Sequence, residues 1–251
     1  MKKTLLAAAL VASATLGGTS AAPPPGAPAR LDSATISGLG ARNIGPATMS
    51  GRISALTGVV DGGKLKLYVG AASGGVWRSE DGGTTFKPVF DRQPVQSIGA
   101  IAVDQTDRKV VWVGTGETWT RNSVSVGDGI YKSIDGGDTW THMGLPESER
   151  IGSVIVDPRN GSSVYACVAG KLWSDSSDRG LYKTTDGGKT WALVLRGGNP
   201  STGCSSLAMD PKDPDRLYAA LWDFRRKGWT FRSGGESPTH ELLSWSPPYT
   251  R

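Results

Sequence analysis

The chain has 251 residues, 35 of them glycine, and a formal net charge of +5. Without Lys2 and Lys3, which lie in a leader-like segment, the charge is +3, too weak and too scattered to draw in nucleic acid. Turn residues recur throughout and no long stretch shows helical apolar periodicity, which excludes a helical fold and points to β structure.

In chain order, Lys2 and Lys3 precede an apolar run from Leu5 to Leu16, followed by small residues at Thr19, Ser20, Ala21 and Ala22. This order describes a secretory signal peptide, residues 1–22. The run is shorter than the ~20 apolar residues needed to span a bilayer. Residues 23–40, opening on the prolines between Pro23 and Pro28, read as a stiff Pro/Ala/Gly-rich linker. The mature chain is expected to be periplasmic or secreted, without membrane insertion once the leader is removed.

Residues 41–236 are repetitive. Three octets align: Ser79–Phe86, Ser133–Trp140 and Thr184–Trp191, whose aspartates Asp81, Asp135 and Asp186 lie 54 and 51 residues apart. Each follows a similar lead-in, at Gly75-Val-Trp-Arg, Gly129-Ile-Tyr-Lys and Gly180-Leu-Tyr-Lys. A second pattern superposes Ile98–Asp104, Ile151–Asp157 and Cys204–Asp210 at intervals of 53. Short β-rich runs follow at Leu67, Val111, Val164 and Leu217. Each unit therefore reads as four short antiparallel strands: A from the Ile98-type run, B from the Val111-type run, C from the lead-in, and D from the end of the octet. Four-stranded units of this length, stacked radially, are the blades of an all-β propeller. A solenoid of the same units is the alternative.

The octet explains itself as a C–D hairpin. An Asp carboxylate accepts backbone N–H bonds just downstream, glycines supply positive φ, and the Trp or Phe buries a ring on the neighbouring sheet. The structural set is thus Asp81, Gly83, Thr85 and Phe86; Asp135, Gly137, Thr139 and Trp140; and Asp186, Gly188, Thr190 and Trp191. One carboxylate per hairpin does not assemble the 6–8 oxygens calcium takes, so neither a metal site nor a cofactor is expected. Cys167 and Cys204 sit in successive repeats. Export permits a disulfide between them; sequence spacing alone does not show whether their Cα atoms lie within the ~7 Å that bridging needs, and two separate buried thiols are the expectation, with a bridge the alternative.

These octets match the Asp-box pattern Ser-x-Asp-x-Gly-x-Thr-Trp of propeller proteins that include sialidases and the sortilin N-terminal domain. Arg42-Asn-Ile-Gly-Pro46, Gly51-Arg-Ile53, Gly114-Thr-Gly-Glu117 and Leu217–Trp222 further resemble large exported bacterial sortilin-like, or glycosyl-hydrolase-like, Asp-box (BNR-type) repeat proteins. The resemblance covers residues 40 to 235; it implies a propeller and leaves the chemistry open. Where the sialidase pattern has Pro after Arg-Ile, Arg52-Ile53 is followed by Ser54, which argues against sialidase activity.

Strand alternation puts the B–C loops at the end of the blades opposite the octets. Three of these loops are long: Gly116–Asp128, Gly170–Asp178 and Trp222–Gly235. Long loops on a rigid scaffold are where function concentrates. Trp119, Arg121, Trp173, Arg225 and Trp229 are the binding candidates, for an exported protein or peptide or for a glycan stacked on the indoles. A glycoside hydrolase is the second reading. It needs two carboxylates, roughly 5–5.5 Å apart for retention or 6.5–9.5 Å for inversion, and Glu117, Asp175 and Asp223 are its weak catalytic candidates. No Ser/His/Asp or metal-ligand spacing appears around His142 and His240.

No fourth octet occurs near 237–240, and residues 237–251 read as a divergent, disordered tail. The expectation is three full blades plus part of a fourth in a shortened chain, or else a four-bladed ring closed by a divergent hairpin.

Overall fold

The computed structural model describes residues 52–234 and the strand 242–245, all within a compact unit, Arg42–Arg251. The expected signal peptide, the linker, Arg42–Gly51 and His240 lie outside the described residues. Among the described residues no helix is long and apolar enough to cross a membrane.

The fold is an unclosed β-propeller of four antiparallel sheets. Blade 1 comprises β1 (Ile53–Asp61), β2 (Lys64–Ala71), β3 (Gly75–Ser79) and β4 (Lys87–Pro88). Blade 2 comprises β5 (Ile98–Val103), β6 (Val111–Thr115), β7 (Ile130–Ser133) and β8 (Thr141–His142). Blade 3 comprises β9 (Ile151–Asp157), β10 (Asn160–Val168), β11 (Gly180–Thr184) and β12 (Ala192–Leu195). In these three blades the strands pair in sequence order.

Blade 4 departs from that plan. After β13 (Thr202–Met209), strand β14 runs from Leu217 to Arg226, and two short strands share its far edge. β15 (Phe231–Ser233) pairs with residues 224–226, and β16 (Leu242–Trp245) pairs with residues 217–220. Two expectations are corrected here. The loop expected from Trp222 to Gly235 is a strand through Arg226, because Trp222 and Phe224 alternate with Asp223 and Arg225 across the pleat. Leu242–Trp245, inside the segment expected to be disordered, also forms a strand.

Each A strand packs on the A and B strands of the blade before it: β5 on β1 and β2, β9 on β5 and β6, β13 on β9 and β10. The cores lie between sheets. Tyr68 and Val76 of blade 1 meet Ile98, Val111 and Tyr131 of blade 2. Trp112 and Ile130 of blade 2 meet Ile151, Val154 and Val164 of blade 3. Tyr165 and Leu181 of blade 3 meet Leu207 and Leu217 of blade 4. Ile53 and Leu56, on the opposite face of blade 1, are each 66% exposed, so among the described residues the four blades do not close a ring on that face.

One register position recurs at every joint. A Cβ on Gly70 would lie 2.6 Å from Ile98 Cγ2, and a Cβ on Gly114 would lie 2.6 Å from Ile151 Cγ2. In each case an isoleucine fills the space a side chain would need. At the third joint the same two positions are Cys167 and Cys204, their Cα atoms 5.0 Å apart, joined in a disulfide. The expected separate thiols are thus corrected. Blade stacking supplies the proximity that a sequence separation of 37 hides, and closing a loop of that size is worth roughly 4 kcal/mol by chain entropy.

The octet hairpins share one hydrogen-bond pattern. Asp81 Oδ1 accepts from the backbone N–H of Thr84 and Thr85 (3.0 and 2.9 Å), and Oδ2 from the Thr85 hydroxyl (2.6 Å). Asp135 accepts from Thr139 N and Oγ1 at 2.9 and 2.5 Å, and Asp186 from Thr190 N and Oγ1 at 3.0 and 2.6 Å. The hydroxyls of Ser79, Ser133 and Thr184 each donate to the same aspartate and accept from the N–H of Gly83, Gly137 and Gly188. The Thr85 and Thr190 hydroxyls, followed by the backbone bonds, hold Asp81 and Asp186 well below the usual carboxylate range. At Asp135 burial opposes ionisation, yet the bonds from Thr139 and Ser133 win and bring the carboxyl down to about 2. Gly188 sits at φ +97°, and a Cβ there would stand 2.7 Å from Trp112 Cη2.

The tryptophans that end the second and third octets tie their blades to the ones before. Trp140 Nε1 donates to Val89 O and Trp191 Nε1 to Met143 O, both at 2.8 Å. Phe86, in blade 1, lacks that N–H and is 40% exposed.

Candidate functional site

At the other end of the blades, the long loops of blades 2 and 3 and the β14–β15 hairpin come together. Loop 2 starts at Gly116, with φ +86° and so close to Glu149 O that a Cβ would sit 1.8 Å from it. Only glycine fits there. Glu117, next in line, is fully buried, and its carboxylate receives Arg52 Nε at 2.6 Å and Nη2 at 2.7 Å. Hydrogen bonding to Glu117 raises the Arg52 guanidinium pKa above its usual value. Glu117 is therefore not the accessible loop carboxylate expected; a partner 65 residues upstream takes it into a two-pronged ion pair.

Loop 2 then emerges. Trp119 is 53% exposed, and Arg121 stands over its ring at 5.9 Å. Asn122 reaches blade 4, where its Oδ1 accepts from Arg226 Nε in a short bond. In loop 3, Arg179 is buried and donates to the carbonyls of Ala169, Lys171 and Ser174 while stacking on Phe224 at 4.5 Å. Burial, then the nearby Arg150 charge, lowers the Arg179 pKa to about 10. Arg226 N donates to Leu172 O at 3.0 Å. Beneath these links, Ala169, Leu172 and Phe224 form a small core that Val124, Trp222 and Phe231 cover. The loops are thus cemented into one rim rather than left as independent tips.

A cleft of about 280 Å³ opens on this rim, lined by Thr118, Trp119, Thr120, Ala169, Ser205 and Trp222. It draws on blades 2, 3 and 4, and among the described residues no charged side chain lines it. The Trp222 ring is held in place by its Nε1 donating to Ser233 Oγ at 2.9 Å.

The other sequence candidates fall elsewhere. Asp223 is buried and accepts from Ser201 Oγ at 2.5 Å and from Arg232 at 3.1 Å, so it fastens blade 4 internally and is not an accessible acid. Asp175 is exposed and ion-paired with Arg225. Trp173 is 47% exposed and Trp229, at the tip of the β14–β15 turn, 99% exposed; neither lines the cleft. Of the five binding candidates only Trp119 does, with Arg121 stacked beside it. Sequence reasoning missed Thr118, Thr120, Ser205 and Trp222. Thr118 and Thr120 carry no signal beyond their place in the loop, Ser205 lies in a run read only as a strand, and Trp222 lies in a segment read partly as loop.

Residues 74–219, more than half of the chain, match the Sortilin-Vps10 family model, described as sortilin, neurotensin receptor 3. The chain belongs to the Sortilin-Vps10 family. This Sortilin-Vps10 chain is 26% identical over 187 residues to a xyloglucanase from a Paenibacillus species, covering 61% of the chain and 17% of that protein. It is 32% identical over 120 residues to a probable oligoxyloglucan-reducing end-specific xyloglucanase from Neosartorya fischeri, covering 45% and 12%. The chain therefore spans less than a fifth of the length of these curated relatives. In fold it resembles the crystal structure of an ancestral GH74 enzyme, with a TM-score of 0.51 and 20% identity, over 73% of this chain and 25% of that one.

Proposed function

We infer that this chain is an exported polysaccharide-binding propeller module, and that the cleft between Trp119 and Trp222 takes a neutral sugar chain. The observation that carries the reading is the lining itself: two indole rings, three hydroxyl side chains and no charge. Indole faces stack on the apolar faces of sugar rings, hydroxyls pair with sugar hydroxyls, and an uncharged wall gives no advantage to uronic acids or phosphates. The xyloglucan-directed names of the relatives support a polysaccharide over a protein or peptide.

Binding is favoured over hydrolysis by the fate of the carboxylates. Glu117 and Asp223 are buried in ion pairs, and Asp175 is paired with Arg225. General acid catalysis needs a carboxyl that can exchange a proton with the substrate, and none of the three stands free for that. Affinity electrophoresis tests the reading. The chain should be retarded in gels containing xyloglucan and not in gels containing polygalacturonate, and Trp119→Ala should migrate freely in both. Equal retardation in both gels, or an unchanged Trp119→Ala, would remove the cleft as the site.

A further inference from the structure

Loop 3 and the connection from β12 to β13 enclose a second cavity at the rim end, of about 220 Å³, which shares no lining residue with the sugar cleft. Ser176, Ser177 and Arg179 line it from loop 3; Arg196 and Asn199 line it from the connection, and Thr202 from the start of β13. Ser176 N donates to Pro200 O at 3.1 Å and fastens the two segments together. Among the described residues no carboxylate lines the cavity.

Arg179 is a buried cation without a matching anion. Buried charges are ordinarily paired. Three backbone carbonyls hold this guanidinium, but carbonyl dipoles bring no counter-charge. Among the described residues Arg179 forms no ion pair, and its Nε has no hydrogen-bond partner. Burial lowers its pKa only to about 10, so it stays protonated at neutral pH. The neighbouring acids are already engaged: Asp178 accepts from Ser176 Oγ at 2.9 Å, and Asp223 accepts from Ser201 and Arg232. The exposed side chains of Arg196 and Ser177 have no partner among the described residues, which leaves a donor open on each segment.

Blade 2 is built with the opposite sign. Asp128 stands where Arg179 stands, just before the glycine at the start of strand C, and the connection from β8 to β9 carries Glu147 and Glu149, the latter paired with Arg150. In blade 3 the connection at residues 196–201 has Arg196 as its one charged residue. The two arginines therefore belong to this joint and are not something every blade requires.

We propose that this cavity binds a tetrahedral oxyanion of the phosphate class, with Arg196 and Ser177 donating to its oxygens and the buried charge of Arg179 favouring it. The planar fork of Arg196 matches two phosphate oxygens. A tetrahedral ion keeps further oxygens for Ser177 on the other segment, whereas a planar carboxylate held in the fork has none to spare.

Calorimetric titration of the full chain with inorganic phosphate, at constant ionic strength, tests the proposal. Saturable binding at one site is expected. Arg196→Gln, an exposed change that should leave the urea midpoint unaltered, should weaken it by about tenfold or more. Arg196→Lys, which keeps the charge and loses the fork, should fall between the two. Trp119→Ala should bind phosphate as the wild type does, so that loss of sugar binding and loss of phosphate binding are read apart. Glucose 6-phosphate separates two sources of the group: binding tighter than that of inorganic phosphate marks a terminal ester, and equal or weaker binding marks the free ion. Absence of saturable binding of either phosphate, equal binding of acetate, or an Arg196→Gln chain that binds as the wild type does would each overturn the proposal.

Discussion

At one end of the blades, Asp81, Asp135 and Asp186 accept the same bonds from the same positions of three hairpins. At the other end the loops differ in length and in bonding: Glu117 is fixed by Arg52, Arg179 by three carbonyls, and Asn122 by the hairpin of blade 4. Repetition marks what every blade needs in order to exist. Individuality marks where the molecule can hold something, because a cleft drawing on three blades needs a different contribution from each. The same contrast runs through the joints, where a Gly–Ile fit appears twice and a disulfide once at the same register.

Substitutions at the two ends should have different consequences. The largest effect is expected inside the rim. Glu117→Gln removes one half of a buried ion pair and should cost about 3 kcal/mol or more in denaturant unfolding. Its stability loss should appear whether or not sugar is present. A stable Glu117→Gln chain would return Glu117 to the list of functional acids. Replacing both Cys167 and Cys204 by Ala should cost about 2–4 kcal/mol, seen as a lower midpoint in urea under oxidising conditions and little difference under reducing ones.

The hairpins should respond to acid. Asp135 has a carboxyl pKa of about 2 in the fold against an ordinary value of 3.8. Its ionised form therefore adds stability that is fully present above about pH 4 and is lost as pH falls towards 2. Thermal unfolding between pH 7 and 2 should show this loss, and Asp135→Asn should flatten its share of the curve while costing roughly 1–2 kcal/mol at neutral pH. The smallest stability effects belong to the exposed indoles. Trp119→Ala and Trp229→Ala should each change stability by at most about 0.5 kcal/mol, yet only Trp119→Ala should weaken sugar binding, by tenfold or more in calorimetric titration. Equal losses of binding from both would spread the site over the whole rim and away from the cleft.

The repeated end was readable in the sequence because each blade restates it. The octets, the Ile98-type and Val111-type runs and the radial stacking all follow from register. The individual end was not, for reasons that particular residues show. Glu117 reads as a loop acid because Arg52 lies 65 residues away and only blade packing unites them. Asp223 and Arg225 read as loop charges, although the alternation with Trp222 and Phe224 is a strand signal in plain sight. Cys167 and Cys204 occupy the aligned positions of Gly114 and Ile151, so the repeat register itself held the information that they face each other. Ser205 read only as part of a repeated strand run; the register shift between Cys204 and Ser206 in β13 falls at this residue, which lines the cleft.

The central claim is that the rim binds and the hairpins only build. Hydrogen exchange measured with and without a saturating xyloglucan oligosaccharide tests it most directly. Protection is predicted at residues 118–120, around Ser205 and at Trp222, with no change across the hairpins at 79–86, 133–140 and 184–191. Protection confined to the hairpins, with the rim unchanged, would contradict the account.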